Sequence, residues 1–164
     1  MIIVKKDFII KNFNKIDKDH FVRHPLYESS GGSLTSGTMA KKLGASVDTL
    51  PPGKRNSPFH FHHIQEEMFV VLKGNGTLRL AEQMVEIEEG DVICIPSGKQ
   101  YPHQIINTSY KPLTYMSIST METPEVCEYP DSNKYLVKSV NEETGILRIV
   151  DFRGKGQDYW EGEP

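Results

Sequence analysis

Three of the six histidines crowd into one short run, Pro58-Phe59-His60-Phe61-His62-His63, and two carboxylates, Glu66 and Glu67, follow at once. In an extended strand successive side chains alternate between faces. His60 and His62 therefore share one face and Phe59 and Phe61 the other. Two imidazoles side by side make half of a metal site. A glutamate on the next strand, reached by a short turn over 63–66, can point to the same place. Imidazole with carboxylate suits a divalent transition metal such as Fe, Mn, Zn or Ni, and leaves coordination positions open for a ligand. His103 opens an apolar, alternating run after a turn, so it can deliver a fourth ligand from a distant strand. The site expected from the residues is His60, His62, Glu67 and His103. His63 and Glu66 are out of phase with it and are expected at the rim or in solvent. His20 and His24 lie in an irregular stretch and take no role.

These groups need short, rigid elements to hold them. The 164 residues carry 13 glycines and 10 prolines, spread as punctuation between short apolar or alternating runs. Strands are expected near 37–42, 45–50, 59–62, 67–72, 76–80, 83–87, 91–95, 103–107, 113–119, 135–140 and 146–151. Pro51-Pro52-Gly53, Gly74-Asn75-Gly76, Glu88-Glu89-Gly90 and Pro96-Ser97-Gly98 supply turns between them. Many short strands at close spacing predict an all-β sandwich or barrel. Residues 1–36 read as an irregular arm with at most a short helix in 5–23, and 123–134 as a surface loop. In the polar tail 151–164, the adjacent Tyr159 and Trp160 predict docking of 157–161 on the barrel or a partner subunit.

Composition narrows the function classes. A net charge of −3, from 19 basic and 22 acidic residues, argues against a nucleic-acid binder. No apolar run approaches the ~18–20 residues of a membrane span, and the N-terminus shows no cleavable leader pattern. Cys94 and Cys127 lie 33 positions apart without metal-knuckle spacing, which predicts two reduced thiols in a cytoplasmic protein. Phe69 and Val71 share the phase of Glu67, and Ile105 that of His103. Phe69 and Ile105 are therefore expected to line a small-molecule pocket, with Lys54, Arg55 and Tyr101 at its rim. If Met116 and Ile118 point inward, that pocket is mostly apolar.

The order of these residues resembles the cupin family. Gly53-(six residues)-His60-x-His62-(four residues)-Glu67-(six residues)-Gly74 is similar to the first cupin motif, with one extra residue after the first glycine. Gly90-(five residues)-Pro96-x-Gly98-(four residues)-His103-(three residues)-Asn107 is similar to the second. There the family usually has two residues between Gly98 and the histidine, so Tyr101 stands at the histidine's usual place. Lys99–Pro102 reads as a loop with a two-residue insertion, which leaves the fourth metal position to His103 or Tyr101. The resemblance covers about 40–121 and picks Glu67 over Glu66. It implies a double-stranded β-helix, a jelly-roll barrel formed by one domain over 1–164. In that reading 1–36 is an N-terminal arm, 40–121 the barrel core and 122–164 a C-terminal extension with its tail. It implies one divalent metal ion in the barrel mouth, a small-molecule ligand and a homodimer. Dioxygenase chemistry on an oxygen-rich metabolite ranks ahead of isomerase chemistry, because no basic residues face the metal. A non-catalytic metabolite-binding or sensor module is the alternative.

Overall fold

The computed structural model describes residues 10–141, 145–154 and 156–164. Thirteen strands follow in chain order: β1 (Asp19–Arg23), β2 (Tyr27–Ser33), β3 (Leu43–Leu50), β4 (Phe61–His62), β5 (Glu67–Lys73), β6 (Asn75–Leu80) and β7 (Gln83–Glu88). Then come β8 (Val92–Ile95), β9 (His103–Ile106), β10 (Leu113–Thr120), β11 (Glu125–Tyr129), β12 (Lys134–Asn141) and β13 (Gly145–Phe152). A single 3-10 turn, Pro130–Ser132, separates β11 from β12, and no α-helix occurs among the described residues.

Two sheets face one another. The first runs β1-β2-β3-β10-β5-β8. The second is built from β7-β6-β9 and β4-β11-β12-β13. Paired backbone hydrogen bonds between His60 and His103 join its two parts: the His103 amide donates to the His60 carbonyl at 2.8 Å and the His60 amide returns the bond at 3.2 Å. This is the all-β jelly roll expected from the strand pattern. Leu50, Phe69, Val71, Leu78, Ile87, Ile95, Ile105, Leu113 and Tyr115 form the core between the sheets. Gly74 makes the tight β5–β6 turn. Its φ is +88°, and a Cβ there would sit 2.6 Å from the Pro112 carbonyl oxygen.

Five expectations need correction. The arm is not irregular throughout, since Asp19–Ser33 forms the β1–β2 hairpin, which pairs with β3 and extends the first sheet. Turn-forming Ser and Gly residues obscured it in the sequence, and pairing to β3 overrides their weak strand propensity. Residues 10–23 contain no helix; the rest of the suggested helix, 5–9, lies outside the described residues. Residues 37–42 form turns, not a strand. Residues 125–129, within the supposed loop, are β11, paired to β4 and β12. Finally, Tyr115, not Met116, faces inward: Leu113 and Tyr115 are core residues, so the register turns the hydroxyl-bearing face of β10 toward the interior.

Asn107 ends β9 as a fully buried hub. Its amide nitrogen donates to the carbonyls of Leu50 and Lys111, both at 2.8 Å, while its side-chain oxygen accepts from the amide and hydroxyl of Ser109. An Asn107→Ala variant is expected to lose about 3 kcal/mol, because buried partners are left unpaired. A thermal midpoint lowered by about 6–12 °C checks this, and an unchanged midpoint contradicts it.

Candidate metal centre

The side chains of His60, His62, Glu67 and His103 meet inside the barrel. His60 stands at the bridge before β4, His62 on β4, and Glu67 and His103 open β5 and β9. Glu67 Oε2 is the hub, 2.7 Å from His103 Nε2, 3.4 Å from His62 Nε2 and 3.7 Å from His60 Nε2. His60, Glu67 and His103 bring ligand atoms within 4.8 Å of one another, as do His60, His62 and Cys127. Alternation along the strand works as expected here. The ring centroids of His60 and His62 are 5.0 Å apart, while Phe61 turns away to stack on His63 and Phe59 lies under the Arg79 guanidinium.

The backbone decides which ring nitrogen faces the centre. His60 Nδ1 lies 2.8 Å from the Pro58 carbonyl, and His103 Nδ1 lies 3.0 Å from the Tyr101 carbonyl. A carbonyl only accepts, so both Nδ1 atoms carry the proton, and in the neutral rings the Nε2 lone pairs point at Glu67. Acceptors thus face an acceptor. Such an arrangement holds together only with a shared proton or a bound cation among its members. His62 adds a second sign: both its ring nitrogens are buried and make no hydrogen bond of good geometry. The donor set therefore fits a metal ion.

Electrostatics follow from burial and crowding. Burial, reinforced by the neighbouring His103, pushes His60 down to about 4. Burial alone would push Glu67 up, but the crowding of His103, His62 and His60 around its carboxylate holds it well below the usual carboxylate range. Burial would likewise lower His62, and the Glu67 and Glu125 carboxylates raise it instead.

The residues expected around the metal are placed unequally. Phe69 packs 5.7 Å from the His103 ring, and Ile105 lies one step deeper along β9, inside the core. Tyr101 presents its carbonyl to His103 and leaves its ring partly exposed. Arg55 is directed elsewhere. It bridges Tyr27 and Ile106 through its backbone, and its guanidinium donates to Gln104, which alternates away from His103 on β9. Lys54 is engaged by the β1–β2 turn, donating to the Pro25 carbonyl at 2.8 Å. His63 pairs with Glu128 at 2.8 Å on the outer face.

β11 adds neighbours to this centre that the strand pattern of the sequence does not single out. Cys127 pairs with His62 across the sheet, and Glu125 lies 3.3 Å from His62 Nδ1. The Tyr129 ring sits 6.2 Å from that of His60. The alternation of Glu125, Cys127 and Tyr129 was a usable signal, hidden by the flanking Pro124 and Pro130. The tail also departs from expectation: Tyr159 and Trp160 are 83% and 72% exposed and pack edge-to-face on each other, not on the barrel. The segment is too polar and glycine-rich to cover both rings.

Residues 46–119 match the Cupin domain family. Auxin-binding protein 1 of Arabidopsis thaliana is 32% identical over 133 residues, which are 75% of this chain and 64% of that protein. The chain thus spans less than two thirds of the length of this plant relative. Among solved structures, a "Putative sugar phosphate isomerase" from Acidithiobacillus ferrooxidans superposes with a TM-score of 0.74 at 23% identity, over 88% of this chain and 92% of that one. A sugar phosphate isomerase from a cupin superfamily, from Silicibacter pomeroyi, superposes with a TM-score of 0.69 at 22% identity, over 84% and 90%. At these identities the structural likeness establishes the fold.

Proposed function

We propose that the chain, whose residues 46–119 match the Cupin domain family, is a small cupin and a metal-dependent enzyme acting on a small, oxygen-rich metabolite. The observation that carries this reading is the convergence of three imidazoles on the Glu67 carboxylate. His60, His62, Glu67 and His103 would hold one divalent transition metal. When bound, such an ion supplies either Lewis-acid polarisation of an oxygen-bearing ligand or a redox centre for dioxygen.

The chain's own residues do the rest. The Pro58 and Tyr101 carbonyls orient the His60 and His103 rings, and Glu125 stands behind His62. Phe69 shields one side of the His103 ring from water. Tyr115 brings a hydroxyl to the interior face, kept protonated by burial and the nearby Asp48. The fold also sets Arg23, Lys134 and Arg148 in a neighbouring cleft beside Tyr129, whose ring lies 6.2 Å from that of His60, and such cations favour an anionic ligand for Lewis-acid chemistry. We therefore read Lewis-acid, isomerase-like chemistry first. The apolar Phe69 wall favours dioxygenase chemistry as the second reading.

Elemental analysis of the purified protein, followed by oxygen-electrode and isomerisation assays across a panel of hydroxy and keto acids and sugars, tests this. Metal with anaerobic turnover supports the first reading, and oxygen uptake supports the second. Tight ligand binding without any turnover would instead make the chain a binding module.

A homodimer in the cytoplasm goes with this reading. No helix among the described residues is long and apolar enough to cross a membrane, and both cysteines are free. The N-terminal hairpin pairs with β3 of its own barrel. Among the uncovered edges is β13, whose residues are all exposed and include Ile146, Leu147, Ile149 and Val150. Open apolar edges invite strand pairing. Light scattering is expected to give about twice the 18.6 kDa chain mass, and Ile149→Lys is expected to return it to 18.6 kDa. A wild-type mass of 18.6 kDa contradicts the dimer.

A further inference from the structure

Beyond the barrel the two sheets continue past each other. β1 and β2 extend the first sheet beyond β3, and β11, β12 and β13 extend the second beyond β4. Residues directly opposite one another in antiparallel strands share a face. The register Asp48–Gly31, Ser29–Phe21 and Tyr27–Arg23 therefore sets Phe21, Arg23 and Tyr27 on the inward face of the first sheet, with Asp48 and Tyr115. In the second sheet the register His62–Cys127–Leu136–Val150, with Tyr129–Lys134 and Lys138–Arg148, sets Tyr129, Lys134 and Arg148 on the face of His62. Between these two faces lies a cleft of about 540 Å³, floored by Pro58 and Phe59.

The charge in this cleft is one-sided. Arg23, Lys134 and Arg148 line it, and none of them forms an ion pair among the described residues. The one acid on its lining, Asp131, is already held by both arms of the Arg79 guanidinium at 2.6 and 2.9 Å. A chain of net charge −3 thus gathers, from three strands around one concavity, three cations that have no ion pair among the described residues. Clefts of one sign with low-dielectric walls concentrate counter-ions. The walls between the charges are aromatic: Phe21, Tyr27, Phe59 and Tyr129. Tyr129 is shared with the metal centre, its ring 6.2 Å from that of His60.

We propose that this cleft binds the carboxylate or phosphate group of a small organic anion on Arg23, Lys134 and Arg148, with the apolar body of the ligand on Phe21, Phe59 and Tyr129. That the same anion is the substrate of the metal centre rests on the function proposed above. Anion capture by the cleft does not.

Calorimetric titration of the chelator-treated, metal-free protein separates the two. The probes are phenyl phosphate, 3-phenylpropionate and the neutral 3-phenylpropionamide. At least one of the two anions is expected to bind about tenfold or more tighter than the amide, and to weaken as salt rises from about 20 to about 200 mM. Preference for one anion identifies carboxylate or phosphate as the group taken. Arg148→Gln and Lys134→Gln are each expected to weaken that anion about five- to tenfold. Arg153→Gln, whose guanidinium pairs with Glu128 at 2.6 Å outside the cleft, is expected to leave it unchanged. Equal affinity for anions and amide, no binding of either anion at about 10 mM, or equal binding by the cleft variants overturns the proposal. Anion binding by a protein that holds no metal would retain the cleft and remove the metal-enzyme reading; metal loading without anion binding would do the reverse.

Discussion

Alanine in place of Glu67 is expected to cost the protein its metal while leaving the barrel folded. Among the described residues, Glu67 Oε2 is the one carboxylate oxygen within ion-pair distance of all three converging Nε2 atoms, at 2.7, 3.4 and 3.7 Å. Removing it leaves three imidazoles and no negative charge at the centre. Loss of one ligand from a four-ligand set weakens metal binding by at least about 100-fold. Losses of that order are also expected for His60→Ala, His62→Ala and His103→Ala. The fold survives because none of the four belongs to the apolar core around Leu50, Val71 and Leu113. Elemental analysis after dialysis reads the metal, and circular dichroism reads the fold. Full metal content in His60→Ala, His62→Ala or Glu67→Ala removes the assignment. Full content in His103→Ala alone hands the fourth position to Tyr101 or to solvent, although the structure gives Tyr101 a different task, accepting from His103 Nδ1 through its carbonyl.

Glu125→Ala is expected to be the most damaging single change outside those four residues. The Glu125 carboxylate is 4% exposed and accepts from three successive backbone amides, His63 at 2.9 Å, Ile64 at 3.2 Å and Gln65 at 3.1 Å. Those amides form the turn that carries the chain from His62 to Glu67, so one side chain sets the approach of two candidate ligands. It also lies 3.3 Å from His62 Nδ1, where it can fix that ring's tautomer. The Ile64 and Gln65 amides lose their acceptor while the His63 amide keeps the Val126 carbonyl at 2.9 Å, at a cost of about 2–3 kcal/mol in all. Metal affinity is expected to fall a further about 10–100-fold, the usual effect of losing the group behind a histidine ligand. Glu125→Gln keeps one acceptor oxygen and should recover part of the stability but less of the affinity. Denaturant melts of the metal-free protein measure the first effect and metal titration the second. Wild-type stability in Glu125→Ala would show that the turn holds without it.

How much of this was readable in the residues varied with the range of the interaction that decides each element. His60 and His62 were legible because the two-residue strand period is local, and the ring separation of 5.0 Å follows from it. The strands from 43 to 119 were legible because glycine and proline turns bound apolar runs that pair with their neighbours. β11 was not, since its prolines read as loop and its strand character comes from lying between β4 and β12. The inward face of β10 was misjudged for a similar reason. Its hydrophobic content is nearly balanced between faces, and the register with β3 and β5, including a shift between Thr114 and Tyr115, settles which face is buried.

Residue order by itself determined the all-β character, the turn positions and the pairing of His60 with His62, because these depend on local backbone geometry. It also singled out Glu67 and His103 as the groups able to join them. Only the tertiary structure decided what surrounds that centre. Arg55, near it in sequence, is drawn to Gln104 on the opposite face of β9, whereas Glu125, Cys127 and Tyr129 arrive from more than sixty positions away by pairing with β4. Arg23 and Arg148 are 125 positions apart in the chain, yet they line one cleft because separate sheet extensions face each other across it. Contacts of that range follow from which strand edges are left open to pair, and no local pattern of side chains encodes them.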